Sequence, residues 1–584
     1  MNINKFLFAV LSFTLLLTAC NQPSSNSLPA TNTNMSPNAE FTQLVEQYFE
    51  ENFKHNPSSA TYAGFHQYDT QLEDYSKAEV EKQVAYLKSF AEKFEKIDAQ
   101  KLSANEVADR ELVISSIKSA LHEFENIRQW EKNPDRYSSG ITQSVFTIMS
   151  RNFAGQDERL KSIVAREKQM PKVFDDARAN LKNPPKIYTQ VALEQIPGLI
   201  SFFKTDVPSA FKEVKDEKLL AEFKATNQAV MEALDKYGKF LKNDLLPKSN
   251  GDFKIGAENY RKKLLYDEMV DLPLERLLQI GEENLRANQE AYKQTAAKLD
   301  PKKTAAQILA EQAKDYPAPD KLLETFRGTL GALVKFIEDK KIITIPSPVL
   351  PIIEETPPFA RAVTMASMDT PGPYEAKAKE AYFNVTLPEK NWKPAQVAEH
   401  MAGFNYGTIL ATAIHEAYPG HYTQFLWVPK APSKVRKLIG AASNAEGWAH
   451  YTEQMMLDEG YGNGAPKLRL GQLQDALLRN ARYIVGIKIH TGQMTYEQAI
   501  DYFVKEGYQS RANGEREVKR GTADPTYLYY TLGKLQIFKL REDYKKMRGD
   551  KFTLQEFHDE FMKQGFPPIK IIRRTMLGND SPVL

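Results

Sequence analysis

From Ala39 onward, apolar and polar positions recur with the period of an α-helix over one long stretch after another. This pattern predicts helices over Phe41–Asn56, Lys77–Ile97, Ala104–Trp130, Asp157–Asn180, Lys186–Glu213, Glu217–Leu241 and Leu274–Leu299. Pro or Gly marks several turns between them, as at Asn183-Pro184-Pro185 and Asp300-Pro301. A further long helix is predicted from Pro394 to Tyr418, with Val397, Met401, Phe404, Ile409, Ala413 and Ile414 as its apolar positions. Another is predicted from Ser433 to Leu457. Two short segments, Lys341–Ile345 and Tyr382–Leu387, are β-branched or aromatic, are flanked by Pro, and read as strands.

These elements describe a mainly α protein with a small β-sheet. Length alone suggests three or four domains, yet no clear linker and no internal repeat interrupts the body. The expected architecture is two helical lobes, residues 39–250 and 251–584, with a deep cleft between them and a metal at its floor. The loop Met365–Tyr374, carrying Pro371-Gly372-Pro373, is a candidate wall of that cleft. The strands either hold an extended substrate along a sheet edge or form a small structural sheet.

The candidate chemistry is concentrated at the end of the Pro394–Tyr418 pattern, in His415-Glu416-Ala417-Tyr418-Pro419-Gly420-His421. Two imidazoles and one carboxylate are a common catalytic zinc set, leaving a position for water. Glu446, 25 residues beyond His421, supplies the third donor after a turn and an antiparallel return. Glu416 then remains free to act as general base. In the familiar H-E-x-x-H spacing the histidines are four apart and share a helix face. Here they are six apart, which on a regular helix turns them roughly 120° away from each other. Pro419 removes a helical donor and Gly420 tolerates unusual backbone angles, so the spacing predicts a break at Tyr418–Gly420 that returns His421 beside His415. His450 lies one turn beyond Glu446 on the same face and is either a neighbour in the site or a rival ligand. His400 reads as structural.

The first residues change the picture of where this chemistry takes place. Lys5 is followed by an apolar run from Phe6 to Leu17, and Leu17-Thr18-Ala19-Cys20 is a lipobox. Residues 1–19 therefore read as a lipoprotein signal peptide and Cys20 as the acylated first residue of the mature chain. Residues 20–38, rich in Asn, Ser, Pro and Thr, read as a flexible tether. Cys20 is the only cysteine, which excludes thiolate zinc ligands, a cysteine nucleophile and an intramolecular disulfide from the body. A net charge of +2 argues against a nucleic-acid partner. The expected partners are a peptide or other small acyl substrate, and a membrane through the lipid at Cys20.

The motifs H-E-x-x-P-G-H at His415–His421 and E-G-W-A at Glu446–Ala449 resemble the hallmark of the bacterial domain-of-unknown-function family 885. Also similar are Asn56–Gly64, Gly251–Tyr260, Glu517–Arg520, Pro525 and Tyr530–Lys534. The resemblance implies a mostly helical, gluzincin-like, zincin-type metallopeptidase fold. By their positions in the matched motifs, Tyr530 and His490 are candidate donors to a reaction oxyanion. Arg520 and Lys534 are likewise candidate partners of a substrate carboxylate. The chain departs from the family where Gly486 and Lys488 replace an Asp and a Gly, and where Gly521 replaces an aromatic. Similarity to bacterial lipoproteins implies export to the cell envelope, and Asn21 after the cysteine points to the outer membrane facing the periplasm.

The function expected is zinc-dependent hydrolysis of peptide bonds in oligopeptides, with Mn or Co also compatible with a His₂Glu set. Hydrolysis of non-peptide amides or esters is one alternative. A non-catalytic, lipid-anchored binding protein with a structural metal is another.

Overall fold

The computed structural model describes residues 38–357, 361 and 364–584. The signal peptide, Cys20 and the tether up to residue 37 lie outside these residues, as do parts of the 358–363 segment.

The chain is mainly helical. The strongly periodic segments form as predicted: Ala39–His55, Lys77–Lys96, Glu217–Phe240 and Leu274–Leu299. Polar side chains at Asn38, Ser76 and Asp216 accept hydrogen bonds from the first-turn amides of three of them. Several long predictions are subdivided. Ala104–His122 passes into a wide turn at Glu123–Ile127 and stops at Arg128, whose φ is 59°. The Asp157–Asn180 pattern becomes Gln156–Glu167 and Met170–Asn180, with Pro171 in the first turn of the second helix. Lys186–Glu213 becomes Lys186–Ser201, a wide turn at Phe202–Asp206 and Val207–Ala210.

The sheet has three strands, β1 (Ile352–Glu355), β2 (Ala366–Asp369) and β3 (Tyr382–Val385), in the order β1-β3-β2. β1 runs parallel to β3, and β2 runs antiparallel to it with Ser367 opposite Asn384. Lys341–Ile345 is not a strand. Lys341, at φ 52°, ends the Leu322–Lys340 helix, and side chains satisfy the extended segment after it. His558 donates to the carbonyl of Ile342 and Trp427 to that of Thr344, leaving no call for a partner strand. The predicted loop Met365–Tyr374 begins with β2.

Three apolar bodies matter for the site. One gathers Phe49, Phe94, Val113 and Ile117 from the first helices, and Met269, Val435 and Ile571 from the second half of the chain pack into it. A second is built by residues such as Ile141, Phe174, Phe203 and Leu234. The third joins the Leu322–Lys340 helix, Phe383 and Val385 of β3, Met401, Ile414, Trp448 and Met455 of the site helices, and Tyr418 from the segment between two of them. The predicted boundary near residue 250 is thus crossed by packing, and also by the buried ion pair Arg436–Asp109 at 2.5 Å.

Candidate metal centre

The predicted helix Pro394–Tyr418 is two helices, Pro394–Ala402 and Tyr406–Glu416. Asn405 divides them, its side chain accepting from the amides of Gly407 and Thr408 at 3.1 Å. The second helix stops at Glu416, and a new one, His421–Trp427, begins beyond a cis Tyr418–Pro419 peptide. Gly420 closes the reversal by donating to the carbonyl of Ile414 at 3.0 Å. A Cβ at Gly420 would collide with the carbonyl oxygens of His415 and Ile414, so the position admits only glycine. The break expected from Pro419 and Gly420 therefore forms, and the rings of His415 and His421 meet edge to face with centroids 4.8 Å apart.

Glu446 comes from Ala442–Asp458, since the Ser433–Leu457 pattern also divides, into Lys434–Leu438 and this longer helix. Gly447 lets that helix lie against Tyr529–Arg548, because a Cβ there would stand 2.5 Å from the Cα of Gly533. Glu446 Oε2 lies 3.3 Å from His415 Nε2 and 3.4 Å from His421 Nε2. Four-coordinate zinc with ligands at roughly 2.0–2.2 Å sets its donor atoms about 3.4 Å apart, the spacing found here. Glu446 Oε2 and His421 Nδ1 are buried without a hydrogen-bond partner. Burial opposes ionisation of Glu446, yet the two histidines hold its carboxyl well below the usual range. These residues fit a divalent cation, and they are the one such group among the described residues.

Glu453 completes the arrangement and was not singled out in the sequence. It lies two helical turns beyond Glu446, on the same helix, and is fully buried. Its Oε1 is 2.7 Å from His415 Nδ1 and 2.9 Å from Arg479 Nη2. A carboxylate in this position fixes the tautomer with Nδ1–H donating to Glu453, which turns the Nε2 lone pair toward Glu446. Burial opposes the charge on Glu453, but Arg479 and the hydrogen bonds from His415 and His450 keep it strongly acidic.

His415, Glu416, His421, Glu446, Arg520 and Tyr530 line one open cavity of about 1870 Å³. Residues from both halves of the chain face it, Tyr188 and Gln195 among them, together with Ala366–Met368 of β2. The ring of Tyr530 stacks 6.4 Å from that of His415, and its hydroxyl accepts from Arg520 at 3.1 Å. Arg482 lies over the same ring and is engaged by Glu517 through bonds of 2.6 and 2.9 Å. Asp475 and Arg479 also line the cavity, and burial pushes the Asp475 pKa up to about 6.

Two expected site residues, His490 and Lys534, do not line the cavity. His490 is buried beside Phe253, its Nε2 2.7 Å from the carbonyl of Gly521 and away from the cavity lining. Lys534 is buried behind the centre near Glu453, and burial brings its pKa down to about 8. Of the two readings for His450, the structure has the neighbour and not the rival ligand: its Nδ1 is 3.1 Å from Glu453 Oε2, and burial lowers its pKa to about 3. His400 lines the cavity but is bound to the carbonyl of Thr386 at 2.8 Å.

The family described as bacterial protein of unknown function (DUF885) matches residues 57–576. This chain belongs to DUF885. A solved structure of a proposed lipoprotein of unknown function from Shewanella oneidensis resembles this DUF885 chain with a TM-score of 0.76 at 29% identity, over 92% of this chain and 100% of that one. A proposed lipoprotein from Colwellia psychrerythraea shares the fold, with a TM-score of 0.73 at 19% identity over 92% and 99% of the two chains. Among curated proteins nothing matches. The DUF885 match covers nearly all of the described helices, so the metal centre and the helices that build it lie within the family's span.

Proposed function

We propose that this protein is a zinc-dependent hydrolase of peptide bonds in oligopeptides, held as a lipoprotein in the outer membrane of the bacterial cell envelope and facing the periplasm. One observation carries the catalytic reading: three lone-pair donors converge from three helices, two of them joined by the Tyr418–Gly420 reversal, with Glu416 beside them in an open cavity. A closed structural site has no use for that carboxylate or for that volume. The cavity exceeds the roughly 300–1,000 Å³ of small-molecule sites, which favours an extended substrate over a small amide or ester.

His415, His421 and Glu446 would hold the ion. When bound, it supplies Lewis acidity and makes water acidic near neutral pH. Glu416 then takes a proton from water in the cavity and returns it to the departing nitrogen. Tyr530, whose oxygen accepts from Arg520, has its own O–H free to donate to an oxyanion. β2 is an edge strand whose residues line the cavity, so its outward backbone groups are placed to pair with extended substrate. The lipoprotein reading rests on Leu17–Cys20 and on the descriptions of the two structural relatives.

Glu416→Gln is the decisive variant. The purified variant is expected to retain one zinc per chain by elemental analysis and to lose at least about a hundredfold in cleavage of mixed peptides followed by mass spectrometry. Loss of zinc from it would make Glu416 a ligand, full activity would remove Glu416 as general base, and no cleavage by the parent protein would remove the hydrolase assignment.

A further inference from the structure

Arg516 and Arg520 stand one turn apart on the helix Arg511–Ala523, and both line the cavity. This helix is pinned to the first half of the chain by Lys519–Glu194 at 2.9 Å and by Tyr188, which donates to the carbonyl of Thr522 at 2.5 Å. The carboxylates beside it are engaged. Glu517 takes two bonds from Arg482. Asp524 accepts from Tyr529 at 2.8 Å and lies 3.5 Å from Arg520. Arg520 donates to the Tyr530 hydroxyl, reaches Asp524 and lines the cavity beside them. Arg516 is exposed, and among the described residues no carboxylate is within 4.0 Å of its guanidinium. Burial first, and the Arg516 charge as well, lower the pKa of His400, a residue of the same cavity lining.

The position of this pair relative to the metal centre is set by Tyr530. Its ring centre is 6.4 Å from that of His415 and 5.9 Å from the Arg520 guanidinium. Arg520 thus stands within about 12 Å of the His415 ring, the reach of three extended residues or so at roughly 3.3–3.6 Å each. A planar guanidinium fork matches the geometry of a carboxylate.

We propose that Arg516 and Arg520 anchor a substrate carboxylate lying within about three residues of the bond that is cut. The inference rests on the peptide-hydrolase reading above. A terminal carboxylate in the anchor makes the enzyme release short fragments from the C-terminus; an acidic side chain there makes it selective for sequence.

Three versions of one uncharged peptide distinguish these: the free acid, its C-terminal amide, and the amide with a single Asp. With the zinc-loaded full chain, kcat/KM for the acid is expected to exceed that for the plain amide by about tenfold or more. Arg516→Gln removes the difference by raising KM for the acid alone, and Arg516→Lys restores part of it. A preference for the Asp amide over the plain amide, lost in Arg516→Gln, assigns the anchor to side-chain carboxylates. Equal rates on all three, unchanged in Arg516→Gln, overturn the anchor and leave the hydrolase reading standing. Absence of turnover on all three removes the hydrolase reading, and fluorescence anisotropy with labelled acid and amide then decides the anchor. Tighter binding of the acid that Arg516→Gln abolishes supports it; equal binding of the two overturns it.

Discussion

Glu453 shows how much one buried carboxylate is asked to do. It accepts from His415, faces His450 and balances Arg479, all in a region closed to solvent. Glu453→Gln keeps the shape and one acceptor but removes the charge that raises the basicity of His415. Zinc affinity is expected to fall about 10–100-fold by chelator competition, with the helices intact by circular dichroism. Unchanged affinity would reduce Glu453 to a packing role. His558 offers a separate test of residue-scale electrostatics. It is fully buried, donates from Nδ1 to Ile342 and lies 2.9 Å from the Tyr451 hydroxyl through Nε2. Burial pushes its pKa down to about 3. An unfolded histidine titrates near 6.5, so above that pH both states are neutral. Below it the unfolded chain binds a proton that the folded chain refuses until about pH 3, and stability is lost across that window. Between pH 6.5 and 5 the loss is about 2 kcal/mol. In urea unfolding, the deficit of His558→Gln relative to the parent is expected to shrink by that amount on going from pH 7 to pH 5. A deficit independent of pH would refute the buried neutral state.

At the scale of elements, the site depends on close helix contact more than on helix propensity. Gly→Ala inside a helix ordinarily stabilises by roughly 0.5–1 kcal/mol. At Gly447 the sign should reverse, because the added Cβ meets the backbone of Gly533 and Lys534. Overpacking of this kind costs roughly 1–3 kcal/mol, and backbone offers no rotamer to relieve it. Gly447→Ala is expected to lower Tm and weaken zinc binding together, since Glu446 must move with the helix. A raised Tm would show that the two helices separate freely. The sequence displayed the glycine in E-G-W-A and the glycine in Y-x-x-G-K, but not that each exists for the other. Likewise the pattern carried helix through Asn405 and Ile439–Ala441, where the chain in fact restarts. Both segments keep an apolar period because both sides of the restart are buried, and periodicity reports burial rather than continuity.

Across the whole molecule, the first and second halves share a core. Val435 and Ile571 sit among the helices of residues 39–117, and Arg436 is buried against Asp109. Removing one partner of a buried pair costs roughly 3–5 kcal/mol, so Asp109→Ala is expected to destabilise by about that much. Residues 251–584 expressed alone would carry the same uncompensated arginine and an exposed apolar face. Calorimetry of the full chain is therefore expected to show one cooperative transition, and an independent transition for either half would show that the shared core does not couple them.

The amino-acid sequence by itself determined the helical class, most of the strongly periodic helices, and the three donors of the candidate metal centre. Those features are local: burial period along a helix, and a Pro-Gly pair between two histidines. Tertiary structure alone decided that His490 and Lys534 lie apart from the cavity, that Lys341–Ile345 needs no partner strand, and that Glu453 stands behind His415. Each of these depends on which distant group reaches a buried polar atom first, and a linear pattern carries no record of that meeting.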